Sequence, residues 1–373
     1  MHFISLTIGF IYRNLIKPIL FKINPETVHD YLTLLGQLLG NSGVVKKILS
    51  NSLCYKNPVL IQEIAGMKFE NPIGLAAGFD YEARLTQILA SIGFGFETIG
   101  TITNQSYEGN IRPMLGRLPK SKSLMVNKGF KNLGAEKTIQ KLKRYSYNFQ
   151  LGVSIGRTNK KDLVTQKQSI EDIASAFLAF ERSRTKHSYY ELNISCPNLM
   201  GDVSFYPPKN LEDLLGRIDR LHLSRPLFIK MPIEKNDNET LQMLNVIVEH
   251  NVTGVVFGNL QKNRNNKMLD PEEVRKFPVG NFSGKPTFER SNELIKLTYK
   301  KYSKKLIIIG CGGVFSAEDA YKKIKLGASL VQLITGIIYQ GPQLVSEINY
   351  KLVDLLKKDG YTNISQAVGA NNK

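Results

Sequence analysis

The chain has no apolar run long enough to cross a bilayer. Residues 1–12, MHFISLTIGFIY, are uncharged, but Arg13, Lys17 and Lys22 follow closely, and a spanning helix needs roughly 18–20 apolar residues. No small-residue cleavage site follows either, so a removed secretory leader is not expected. Cysteine is scarce: the three residues, at 54, 196 and 311, have no CxxC spacing, and the five histidines do not cluster. Neither a disulfide framework nor a metal site is therefore expected, and a reducing compartment fits. No G-x-G-x-x-G follows an early strand, which counts against a doubly wound dinucleotide fold. Acidic residues are few, 32 against 50 basic ones, for a net charge of +18. Such a charge fits either an anionic partner or lysines scattered over solvated helix faces. Clusters no larger than Lys120-Ser121-Lys122 or Lys300-Lys301 favour scatter, with the N-terminal segment as the exception.

That segment reads as a basic amphipathic helix of the kind that lies in a membrane interface, with Leu15, Ile16, Ile19, Leu20 and Phe21 among its cations. Asn24-Pro25-Glu26 restarts a helix, Asn24 as N-cap and Pro25 at the first helical position, running to about Gly40 with leucines wide on one face. The pair either packs on the main domain or forms a membrane-docking extension over residues 1–42, ahead of a main domain at 43–373. Residues 41–70 read as a polar linker followed by a hairpin of Val59-Leu60-Ile61 and Met67-Lys68-Phe69 across Ala65-Gly66.

From Pro72 onward, short apolar strands alternate with amphipathic helices. Strands are predicted at Ile73–Ala76, Thr98–Thr101, Gln150–Ser154, Tyr189–Asn193, Leu227–Lys230, Gly254–Phe257, Leu306–Gly310 and Leu330–Leu333. Helical stretches fall at 167–184, 238–250, 291–302 and 317–326. Eight such units predict an α/β fold, a (β/α)8 TIM barrel, whose functional residues sit at the C-terminal ends of the strands. Polar or glycine residues fall at every predicted strand end.

Gly310-Cys311-Gly312-Gly313 and Thr335-Gly336 close the last two strands. There such barrels bind phosphate, because glycines let backbone N–H groups approach the oxygens. Lys230 ends an apolar strand, where a lysine is costly without an anionic partner. In Asn193-Ile194-Ser195-Cys196-Pro197-Asn198, a thiol stands beside amides that can orient a planar polar ligand. Cys196 is the candidate acid/base, with Asn193, Asn198 and Asn259 around it.

Together these residues resemble the dihydroorotate dehydrogenase family, and within it the membrane-associated, quinone-using class. The resemblance runs from about Phe10 to Leu356. It rests on the Phe21–His29 leader, Asn71–Asp80, Gly100-Thr101-Ile102-Thr103, Gly129-Phe130, Asn193–Asn198, Phe282–Pro286, Ile308–Gly313 and Gly327–Gln332. It implies FMN on Ala77, Gly78, Thr101, Ser154, Asn193, Lys230, Gly284, Gly312, Gly313, Thr335 and Gly336. It implies dihydroorotate and orotate facing Asn193, Asn198, Asn259, Gly129 and Phe130, and catalysis by Cys196 and Lys230. His29 and Arg117 match positions lining a quinone tunnel. The implied protein is a flavoprotein oxidoreductase of pyrimidine biosynthesis, peripheral on the cytoplasmic side of the cell membrane, with nucleic acid not expected as a partner.

The chain departs from the family pattern at several positions. Cys196 stands where the membrane class has serine, Tyr81 where a lysine follows Gly-Phe-Asp, Val126 where asparagine is usual, and Leu199 and Leu260 where threonines are. Ser154 replaces an asparagine. Neighbours such as Asn127 or Lys128 compensate, or the substrate is another dihydropyrimidine. Two further alternatives are reduction of uracil in RNA and a flavin-binding barrel without catalysis. The RNA-modifying relatives carry an extra C-terminal helical domain, whereas only 17 residues (373 − 356) follow Leu356 here.

Overall fold

In a computed structural model, which describes residues 2–201 and 203–372, eight parallel strands close into a barrel. They are β1 (Ile73–Leu75), β2 (Phe96–Ile102), β3 (Gln150–Ile155), β4 (Tyr189–Asn193), β5 (Leu227–Lys230), β6 (Gly254–Phe257), β7 (Ile307–Cys311) and β8 (Leu330–Leu333). Each pairs with its sequence neighbours, and β8 returns to β1. Strands such as Gly254-Val-Val-Phe are buried throughout, as a parallel sheet covered on both faces requires.

The predicted helices lie at Gln166–Ser183, Asp237–Ile247, Phe288–Tyr302 and Ala317–Lys325. Reciprocal capping boxes, Thr165 with Gln168 and Asn236 with Glu239, start the first two. The other end of the barrel is plugged by a hairpin whose Phe69 meets Phe96 edge-on at 5.4 Å. Its turn is Ala65-Gly66 as expected, but its first strand is Gln62–Ile64, because Pro58–Leu60 forms a 3-10 turn.

At the N-terminus, His2–Ile11, a π-helical turn at Tyr12–Ile16 and Lys17–Leu20 follow one another as a rod, α1. The next helix, α2 (Pro25–Gly40), begins where expected, with Asn24 Oδ1 accepting from Glu26 N and Thr27 N. The stretch read as a polar linker contains a third helix, α3 (Gly43–Leu53), capped by Ser42. None of its Lys46-Lys47 and Ser50-Asn51-Ser52 is buried, and these polar residues mask the helical signal. Among the described residues no helix is long and apolar enough to cross a membrane.

A three-stranded antiparallel sheet, Leu115–Leu118, Ser123–Val126 and Asn281–Phe282, overhangs the rim. Nothing in the local periodicity predicts it, since two of its strands come from one excursion and the third from another.

Candidate active site

Inward-facing side chains at the C-terminal half of the barrel are polar. On β4 the two-residue period puts Tyr189, Glu191 and Asn193 on one face; on β5 it adds Phe228 and Lys230. The register of β2 slips between Ile99 and Ile102, and this irregularity brings Thr101 beside Ser154, Oγ1 to Oγ 3.0 Å.

A directed chain of hydrogen bonds follows. Asn193 Nδ2 donates to Thr101 Oγ1 at 2.8 Å, and Ser154 Oγ donates to Glu191 Oε1 at 2.9 Å. Thr101 is therefore the donor to Ser154, and the chain ends on a carboxylate 3.9 Å from Lys230 Nζ. Asn193 Oδ1 accepts from Ser195 N and Ser195 Oγ, and Asn259 Nδ2 donates to that same Oγ at 2.6 Å. The amides are fixed before any ligand arrives.

Asn193, Thr101, Lys230 and Asn259 open on one cleft at the rim. Ala77, Gly78, Thr101, Asn193, Lys230, Gly284, Gly312, Gly313, Thr335 and Gly336 line it, together with Cys196, Asn198, Asn259, Gly129, Phe130 and His29. Two residues singled out from the sequence do not. Ser154 is fully buried behind Thr101, so its role is to orient Thr101 and Glu191. Arg117 leaves the cleft to bind Ile23 O at 2.7 Å and to cover the Phe21 ring at 4.8 Å, fastening the end of α1 to the rim sheet. Glu191 went unnoticed in the sequence, although the two-residue period from Asn193 would have found it.

Burial pushes the Cys196 thiol up to about 12, against the pull of the Asn198 backbone and of Lys262, Arg157 and Lys230. The thiol is thus protonated at rest. Its loop is tied to the rim sheet by Asn198 Nδ2 donating to Val126 O at 3.0 Å and Asn281 Nδ2 to Asn198 Oδ1 at 2.6 Å. Phe130, a non-glycine at φ +64°, holds a costly backbone conformation at the cleft edge.

The glycines fit a phosphate-bearing cofactor. A Cβ on Gly336 would run into the Val314 carbonyl, one on Gly312 would lie 2.5 Å from Thr287 Oγ1, and Gly313 sits at φ +71° against Phe288. Ser283 Oγ and Thr335 Oγ1, 2.8 Å apart, complete that side. The opposite side offers the buried Lys230 ammonium and the oriented Asn193 and Thr101. A bare backbone cradle at the ends of β7 and β8 and a polar wall across the cleft suit a planar cofactor carrying a phosphate.

Fold and site together define a cofactor-binding (β/α)8 oxidoreductase barrel. The dihydroorotate dehydrogenase family model matches residues 59–356, and the chain belongs to that family. A dihydroorotate dehydrogenase (quinone) of Christiangramia forsetii is 33% identical over 92% of this chain and 99% of its own length. One of Sulfurovum sp. is 33% identical over 98% and 99%. The crystal structure of the Eimeria tenella enzyme in complex with ferulenol superposes with a TM-score of 0.80 at 26% identity, covering 94% of this chain and 96% of that one.

Proposed function

We propose that this protein oxidises dihydroorotate to orotate and passes the electrons through FMN to a membrane quinone; its relatives are named dihydroorotate dehydrogenase (quinone). The carrying observation is that Cys196, Lys230, Asn193, Asn259 and the glycines at 312, 313 and 336 converge on one cleft. FMN, when bound, would supply the acceptor for the hydride from C6 of the substrate and the route for electrons to the quinone. Gly312, Gly313 and Gly336 would hold its phosphate, and Lys230, paired with Glu191, would stand on its ring side. Asn193, Asn259 and Asn198 orient the pyrimidine. Cys196 removes the C5 proton as thiolate, with Lys262, Arg157 and Lys230 stabilising that charge.

Membrane docking is part of this reading. The N-terminal helices leave Phe10, Leu15, Ile19, Leu38 and Val44 each more than 60% exposed, and Lys17, Lys22, Lys46 and Lys47 stand beside them. Exposed apolar residues interspersed with lysines suit an anionic bilayer surface, and the reading is of a protein peripheral on the cytoplasmic face. His29, on α2, lines the cleft, so the quinone would enter between these helices and the barrel. Nucleic acid has no part in this reading.

The test is direct. Anaerobic addition of dihydroorotate should bleach the oxidised-flavin absorbance near 450 nm (roughly), and a short-chain quinone should restore it. A flavin-loaded protein left unbleached would rule the reaction out.

A further inference from the structure

The lysines lining the cleft are Lys128, Lys131 and Lys230, with no aspartate or glutamate among the lining residues. Lys230 is balanced by Glu191. Lys128 is different. Among the described residues no carboxylate lies within ion-pairing distance of it, and its Nζ sits 4.1 Å above the centre of the Tyr81 ring. Tyr81 is stacked in turn on His29, centroids 5.1 Å apart and planes 10° from parallel. Asp30 is engaged by His29 Nδ1 at 3.2 Å and by the Tyr81 hydroxyl at 3.3 Å.

We infer that Lys128, held on the face of Tyr81, is the cation that binds the carboxylate of the substrate and makes this site select acids over neutral dihydropyrimidines. The inference rests on the proposed reaction and adds a residue to it. Three observations support it. An ammonium on a π face keeps N–H groups free on the side away from the ring, and Lys128 lines the cleft. Lys128 stands two residues beyond Val126, the end of the rim strand to which Asn198 of the Cys196 loop is bonded, so it follows the wall that holds the Cys196 loop rather than the glycine cradle. Finally, Tyr81 stands where the family pattern has a lysine, so the cation is retained in the cleft on a different segment of the chain.

Burial lowers the Lys128 ammonium to about 8, Lys131 adding to this while Asp30, Glu26 and Glu82 oppose it. It therefore remains mostly protonated at neutral pH, ready for an anion.

The experiment uses FMN-loaded protein and anaerobic stopped-flow reduction by dihydroorotate and by its neutral methyl ester. Lys128→Met should weaken dihydroorotate binding by about 10- to 150-fold, the range of a charge-assisted hydrogen bond. Its binding of the ester and its FMN content should stay as in the wild type, and Lys128→Arg should retain most of the preference for the acid. Tyr81→Phe, which keeps the ring, should bind the acid normally, whereas Tyr81→Leu should lose about 2- to 30-fold. This second pair keeps the idea open to refutation if Lys128→Met folds poorly. A Lys128→Met protein with wild-type preference for acid over ester would overturn the role of Lys128 alone, as would equal binding by the two Tyr81 variants. Wild-type flavin that dihydroorotate does not bleach would overturn the reaction and this role together.

Discussion

Lys230 Nζ lies 3.9 Å from Glu191 Oε1 inside the barrel, with both side chains almost wholly buried. A buried charge left alone is far more costly than a buried pair, by about 3–5 kcal/mol. Lys230→Met should therefore lower stability by about that amount in urea titrations and abolish flavin binding. Adding Glu191→Gln should recover most of the stability, because a neutral amide can still accept from Ser154, but none of the turnover.

The raised Cys196 thiol sets the pH profile of the reductive half-reaction. Thiolate increases tenfold per pH unit below its pKa, so the flavin-reduction rate should climb with nearly unit slope across about pH 6–10, without a plateau. Cys196→Ala should cost about 100- to 10,000-fold in that rate at unchanged FMN content. Cys196→Ser should keep part of the activity with a displaced profile.

Glu97, fully buried on the face of β2 opposite Phe96 and Thr98, is pushed well above the ordinary 4.5 by burial first and by Asp80 second. Asp80 accepts instead from Arg84 N and Leu85 N at 2.7 Å. The folded protein thus keeps a proton that the unfolded chain releases near 4.5. The stability linked to that proton is complete below 4.5 and falls as pH rises toward the folded value, at about 1.4 kcal/mol per pH unit. Urea midpoints at about pH 5 and pH 8 should fall further for the wild type than for Glu97→Gln, which carries no titrating proton.

Gly313 and Gly336 test the cofactor cradle separately from the polar wall. Gly313→Ala would impose about 1–3 kcal/mol of backbone strain at φ +71°, and Gly336→Ala would displace the Val314 carbonyl. Each should raise the FMN dissociation constant at least about tenfold, read as flavin lost on gel filtration. The Lys128 preference for acids should survive in whatever fraction retains cofactor.

The exposed face of α1 should carry membrane binding. Replacing Phe10 and Leu15 by glutamate should release the protein from anionic vesicles in co-sedimentation, since both apolar area and charge complementarity are removed. Flavin reduction by dihydroorotate should be unaffected, because neither side chain lines the cleft.

Much of this was legible from the chain alone. Eight apolar runs ending in Gly, Asn, Lys or Thr determined the strands and the rim, because a parallel strand buried on both faces has few residue types open to it and βα turns need special backbone. Asn24-Pro25 determined the start of α2, since a cap and a fixed φ act locally. What only the tertiary structure decided depends on groups far apart in sequence. The slip in β2 is needed to turn Thr101 toward Ser154, and Glu191 and Lys230 matter only because β4 and β5 are neighbours. The rim sheet joins residues near 120 to residues near 282. Lys128 shows the same limit: the sequence names it only as a neighbour that compensates for lost contacts, and what holds it is set by the fold. Tyr81 and His29 arrive from two other segments to hold it, because a cation without a local carboxylate takes its orientation from whatever ring the fold stacks beneath it.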